Sequence, residues 1–103
     1  NCPLPPGSGS DAFRAVVQQQ WLPALETFAP QLLLISAGFD AHGADDMSHL
    51  WFTTADYAWV TQAACGIADR HAQGRIVSTL EGGYDLRSLA ASAAAHIERL
   101  VFA

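Results

Sequence analysis

Basic residues are scarce in this sequence: five Lys and Arg stand against ten Asp and Glu, for a formal net charge of −5. So few scattered cations cannot track a phosphate backbone, which argues against a nucleic-acid partner. Cysteine is equally scarce. Cys2 and Cys65 form no Cys-x-x-Cys unit, and this points to a reducing compartment with two structural thiols. Apolar runs are short, none reaching the roughly 18 residues of a membrane span. No basic segment leads an apolar stretch in the manner of a signal peptide. A soluble, cytoplasmic chain without a membrane partner is expected. Phosphate loops are missing too, because Gly7-Ser8-Gly9 has no third glycine, no preceding strand and no following Lys. Ser36 lies outside any Gly-x-Ser-x-Gly turn, which excludes the usual serine-hydrolase elbow. No internal repeat, low-complexity tract or linker divides the chain.

What is present is apolar and periodic. Hydrophobic residues make up 50% of the 103 residues. That is enough for a core but small for a complete α/β enzyme, so residues 1–103 are read as a single partial domain. Residues 1–6 hold three prolines and read as an extended lead-in or edge strand. Ser8 and Asp11 have the spacing of a capping box, and Phe13, Val16, Val17, Trp21, Leu25 and Phe28 recur at helical intervals. A helix is predicted over about residues 11–28, kinked or broken at Pro23, whose ring removes the bond to Gln19. Leu32 to Asp40 reads as a buried parallel strand that delivers a carboxylate at its end. Thr53 and Asp56 repeat the capping-box spacing ahead of a stripe of Tyr57, Val60, Ala64, Ile67, Ala68 and His71, closed by Gly74. A second strand follows at Ile76 to Leu80. Asp85 then caps a helix whose stripe is Leu86, Leu89, Ala90, Ala93, Ile97, Leu100 and Val101. Strands alternating with helices imply an α/β fold, a parallel sheet with flanking helices joined by right-handed crossovers.

Ligands of open α/β sheets sit beyond the carboxyl ends of the strands. Two chemically capable groups fall there. Asp40 ends the first strand, and a carboxylate in that position is costly unless it is paired, capped or bound to a metal. His42 makes an Asp-x-His pair with it, a donor set suited to zinc or manganese. Tyr84 follows Gly82-Gly83, where absent side chains permit close approach and a sharp turn. A phenol there either plugs the sheet edge or donates a hydrogen bond to a carbonyl oxygen gaining charge. Met47, His49, Leu50, Trp51 and Phe52 form an apolar loop that either lines a channel or covers the strand ends. His71 and His96 lie on or beside helix stripes and read as packed or interfacial.

These residues resemble the histone deacetylase superfamily, above all its bacterial deacetylase-like amidohydrolases and acetylpolyamine amidohydrolases. The likeness runs over nearly the whole chain. Asn1 to Gly9 resembles that family's lead-in. Ser36-Ala37-Gly38-Phe39-Asp40-Ala41-His42 resembles its third metal-ligand motif, and Glu81-Gly82-Gly83-Tyr84 its catalytic-tyrosine motif. The resemblance implies the carboxyl-terminal portion of an arginase/deacetylase-type three-layer fold. It implies zinc held in part by Asp40, a catalytic Tyr84, and substrate-binding roles for Met47, Gly82 and Gly83. His42 is then not a ligand. The substrate implied is an acetylated amine, acetyl-lysine or an acetylpolyamine. None of His42, His49, His71 and His96 has a neighbouring His, so the family's His-His pair and its Asp-x-His ligands are expected outside this chain. Asp45-Asp46-Met47 stands where relatives have Asp-Pro followed by an apolar residue, which leaves that loop's conformation open. One ligand of three holds zinc weakly, so the chain alone is expected to be inactive. The alternative expectation is a non-catalytic module that forms a homo-oligomer or binds a partner through an exposed sheet edge or helix face.

Overall fold

The computed structural model describes residues 1–102. Its elements in chain order are α1 (Ser10–Val16), a π-helical turn (Val17–Trp21), α2 (Leu22–Phe28), β1 (Leu33–Ala37), α3 (Thr54–His71), β2 (Ile76–Leu80) and α4 (Leu86–Phe102). The predicted first helix is therefore interrupted. Pro23 lies in the first turn of α2 and has no N–H to give. The ladder upstream of it widens into i→i+5 spacing over Val17–Trp21. Ala29 ends α2 with a left-handed φ of 52°, its N–H bonded to the Leu25 carbonyl at 2.9 Å.

The capping box expected at Ser8 and Asp11 does not form. The helix starts at Ser10, with Gly9 in the cap position and no side-chain cap. Ser8 Oγ donates instead to the Pro5 carbonyl at 2.7 Å, and Ser10 Oγ to Asp56 Oδ2 at 2.5 Å. A buried carboxylate 46 residues away takes the Ser10 hydroxyl, because its charge has no water to satisfy it. The proline-rich lead-in makes no strand. It is clasped to a later loop by Gly7 N–H on the His49 carbonyl (2.8 Å) and Trp51 N–H on the Ser8 carbonyl (2.9 Å).

The second capping box is real. Thr53 Oγ1 accepts from the Asp56 amide at 3.3 Å, and Asp56 Oδ2 accepts from the Thr53 amide at 2.9 Å. The same carboxylate takes Ser10 Oγ and the Arg14 Nε, the latter at 2.9 Å, so one fully buried residue ties α1 to the start of α3. Burial works to raise its pKa, but the donors from Ser10, Thr53 and Arg14 outweigh burial and hold it below the ordinary carboxylate range. Arg14 also stacks over Trp59, 4.9 Å from the ring centroid.

β1 and β2 pair in parallel, in register from Leu33↔Ile76 to Ala37↔Leu80. Helix α3 makes the crossover between them. Ala37 and Phe39 enter a core with Phe13, Val17, Phe52 and Tyr57, in which Phe13 and Phe52 stack with ring centroids 4.3 Å apart. The strand expected to be buried on both faces is covered on one. Leu34 and its register partner Val77 point outward, Leu34 being 72% exposed.

Helix α4 corrects the sequence reading most. Its buried positions are Ser88, Ser92 and His96, whereas Leu86, Ile97 and Val101 of the predicted apolar stripe are exposed. Leu89 and Ala93 alone of that stripe pack against the core cluster. The buried polar line is satisfied internally: His96 Nδ1 meets Thr61 Oγ1 at 2.7 Å and its Nε2 meets Ser78 Oγ at 2.8 Å. Thr54 Oγ1 and Ser92 Oγ pair at 3.2 Å. Burial lowers the pKa of His96 and so favours the neutral ring, which can accept as well as donate.

Replacing Asp56 with Ala removes a cap and several charge-assisted bonds, and is expected to destabilise the chain by about 3 kcal/mol. Because the folded pKa is lowered, the stabilisation is complete above the ordinary Asp value of about 3.9 and is lost as pH falls through the folded value. Urea melts of wild type and Asp56→Asn between neutral and acid pH should converge on acidification; parallel curves would contradict this.

Candidate functional site

The strand pairing does not stop at the strands. Glu81 N–H donates to the Ala37 carbonyl (2.9 Å) and Phe39 N–H to the Gly82 carbonyl (2.8 Å), so the continuations of β1 and β2 leave the sheet side by side. Ser36 Oγ adds a bond to Glu81 Oε1 at 2.8 Å. This extension brings Asp40 onto Gly82. A Cβ at Gly82 would lie 2.8 Å from the Asp40 Cγ and 2.9 Å from its Oδ2, so the carboxylate rests on bare backbone. Gly83 has φ of +146°, and a Cβ there would meet Leu89 Cδ1 at 2.7 Å. Both conditions require glycine. Tyr84 comes next and is 60% exposed at the rim.

Residues 41–52 fold back over this edge. Ser48 Oγ donates to the Asp40 carbonyl at 2.7 Å, and Phe52 N–H to the Ala41 carbonyl at 3.0 Å. The apolar loop divides its work: Phe52 is buried and Leu50 packs on the core, while Met47 and Trp51 are exposed. His42 is turned to the loop and α3. Its Nδ1 accepts from the Ala44 amide at 3.0 Å, and its Nε2 lies 3.4 Å from Thr54 Oγ1. The local Asp-x-His pairing with Asp40 is therefore not used. His71 meets Glu26 Oε2 at 2.6 Å, and His96 is the buried hub already described.

Asp45 is the residue whose importance the sequence did not reveal. It is 4% exposed. Its Oδ2 accepts from the amides of Tyr84 (2.7 Å) and Asp85 (3.0 Å), and its Oδ1 accepts from the Met47 amide at 3.0 Å. The Tyr84 amide, first among these donors, holds its pKa below the ordinary carboxylate range against the opposing effect of burial. The signals for it in the sequence are a pair of acids, Asp45-Asp46, in the loop after Asp40, and their place where the resembling family has Asp-Pro followed by an apolar residue.

Among the described residues no three His, Cys, Asp or Glu side chains converge as a metal cluster. Asp40 fits the part of one donor: its carboxylate is fixed at the strand end by contact with Gly82. A zinc centre needs three protein donors, so the residues of this chain do not by themselves make one. An open apolar groove of about 790 Å³ runs between β1, α2 and α3; Phe39 and Ala41 on either side of Asp40 line it, and Asp40, Gly82 and Tyr84 do not.

A strand-end aspartate resting on a Gly-Gly-Tyr turn is accompanied by a match over residues 1–100 to the histone deacetylase domain. The chain belongs to this family. A chloroplastic histone deacetylase 14 of Arabidopsis thaliana is 44% identical over 91% of this chain, which spans 22% of that relative. A histone deacetylase-like amidohydrolase of Pseudomonas aeruginosa is 42% identical over 82% of this chain, and a probable deacetylase of Archaeoglobus fulgidus 40% identical over 84%. The chain spans 22% and 24% of these two. Among solved structures, the histone deacetylase Clr3 superposes with a TM-score of 0.85 at 33% identity, over 95% of this chain and 16% of that one. The HDA15 HD domain gives the same TM-score at 37% identity, over 95% of this chain and 27% of that one. This α/β, parallel-sheet segment thus spans about a quarter or less of the histone deacetylases it matches.

In this deacetylase segment Gly82→Ala forces a methyl group into the Asp40 carboxylate, and overpacking of this kind costs about 1–3 kcal/mol. Thermal melts should show that loss, with chemical-shift changes centred on Asp40. An unshifted Asp40 would mean that the carboxylate does not rest on Gly82.

Proposed function

We propose that this chain supplies part of the active site of a zinc-dependent amidohydrolase that removes acetyl groups from an acetylated amine, acetyl-lysine or an acetylpolyamine. The observation that carries the reading is the Asp40 carboxylate lying against Gly82, two residues before Tyr84, at the carboxyl end of the paired strands. Family membership supports deacetylation as the chemistry. In this reading Asp40 is one zinc ligand, and the remaining donors and the general base come from outside this chain. Zinc, when bound, supplies Lewis acidity and an activated water. Tyr84 is exposed at the rim, and in this reading its hydroxyl donates a hydrogen bond to the acetyl oxygen as that oxygen gains negative charge. Gly82 and Gly83 keep the floor beside the tyrosine free of side chains, and exposed Met47 lines the approach of the acyl chain.

In the complete domain Asp40→Ala should abolish zinc binding. Tyr84→Phe should lower kcat by roughly 100- to 1000-fold while zinc content, read by atomic absorption, is unchanged. Turnover that survives both changes would sink the assignment. The 103-residue chain itself, assayed with zinc on a fluorogenic acetyl-lysine substrate, should show no hydroxamate-sensitive turnover.

A second reading rests on a different observation. The outward faces of β1, β2 and α4 expose Leu34, Val77, Leu86, Ile97 and Val101, and apolar surface of this kind favours association. As a separate unit the chain would then form a homo-oligomer through these faces or the open strand edge. Size-exclusion chromatography with light scattering should show a mass above one chain, and a monodisperse monomer would count against it.

A further inference from the structure

Asp45 meets Tyr84 and Met47 through their backbone amides and not through the groups assigned to the reaction, yet its carboxylate is the meeting point of two segments that the reaction needs in a fixed relation. Oδ1 takes the amide of Met47, on the loop after Asp40. Oδ2 takes the amides of Tyr84 and Asp85, on the turn after β2. Met47 is two residues from Asp45 in sequence, whereas Tyr84 and Asp85 are 39 and 40 residues away. Gly82 and Gly83, which precede Tyr84, are free at Cβ and leave the turn with little intrinsic stiffness. Another constraint must therefore hold the tyrosine in place. Asp85, the next residue, caps α4 by accepting from the Ser88 amide at 3.0 Å, so the turn is anchored to the helix on its far side. Asp45 anchors its near side.

We infer that Asp45 is a positioning residue: through its two oxygens it sets the Tyr84 backbone against the loop carrying Met47, and so fixes the tyrosine hydroxyl relative to Asp40. The inference rests on the assignment of Tyr84 to the reaction. Its geometry is specific to a carboxylate. Both oxygens are acceptors and all three partners are N–H donors. Asparagine has one acceptor oxygen, so it keeps one loop and sets a donor against the other. The carboxylate is nearly removed from water, so a lost contact is not replaced by solvent.

The test uses the complete zinc-loaded domain with three variants, Asp45→Asn, Tyr84→Phe and the double substitution. Asp45→Asn should lower kcat on the order of 10- to 100-fold, as expected for a misplacement of about 1 Å, with KM and zinc content unchanged. The double variant should be no slower than Tyr84→Phe alone, because both changes act through the same hydroxyl. Loss of turnover in Tyr84→Phe with full turnover in Asp45→Asn would overturn this inference and leave the proposed function standing. Full turnover in Tyr84→Phe would overturn the proposed role of Tyr84 and this inference with it. Additive losses in the double variant would also overturn the inference. A readout that does not depend on the variant folding is hydrogen exchange in the unmutated protein. The Tyr84 and Asp85 amides should exchange far more slowly than a free loop, and exchange at the free-loop rate would overturn the inference as well.

Discussion

The parallel pairing of β1 with β2 is the constraint on which the rest of this structure depends. Five register pairs, Leu33↔Ile76 to Ala37↔Leu80, align two segments more than 40 residues apart. The ladder then continues through Glu81 to Ala37 and Phe39 to Gly82. A parallel pair ends both strands at the same edge, which an antiparallel hairpin could not do. Asp40 and the Gly82-Gly83-Tyr84 turn are neighbours for that reason. A one-residue slip would turn every side chain of a strand to the opposite face and carry Ala37 and Phe39 out of the core.

Around this pair the loops are held by two buried carboxylates. Asp56 gathers Ser10, Arg14 and Thr53, and Asp45 gathers Met47, Tyr84 and Asp85. An ionised carboxylate away from water is stable only when its lone pairs are filled by donors. Each of the two therefore adds a polar tie between segments that are distant in sequence. Asp56 joins the first helix to the crossover helix, and Asp45 joins the loop after β1 to the turn after β2. The candidate site lies between the strand ends and the second of these hubs. Its groups are placed by backbone and buried charge, and little of its definition comes from packing of the exposed side chains themselves.

The apolar surplus has a different distribution. Leu34 and Val77 face outward from the strand pair, and Leu86, Ile97 and Val101 from α4. Strands of parallel sheets are commonly covered on both faces, and here one face is covered. The chain spans 22–24% of three of the deacetylases it resembles, so their folds contain much that this segment does not. The inner face, with Phe13, Phe39, Phe52 and Tyr57, is a packed core of aromatic contacts at 4.3–6.3 Å between ring centroids.

Much of the architecture was legible beforehand, because it depends on local chemistry. Thr53 and Asp56 announced a helix start, Asp85 another, Pro23 a break, and the runs before Asp40 and Glu81 two parallel strands. Each of these signals acts within a few residues of itself, where composition and spacing are decisive. Other features were settled by distance. Ser10 bonds to Asp56 in place of any local cap, and Ser88, Ser92 and His96 are buried while a more apolar stripe of α4 faces out. Polar partners on other elements, Asp56 for Ser10, Thr54 for Ser92, and Thr61 and Ser78 for His96, satisfy groups that are solvent-seeking when read along the chain. The same holds for Asp45, an acid in a loop whose local sequence does not show what it binds. Its role comes from amides 39 and 40 residues downstream, which only the folded β1–β2 edge brings within reach.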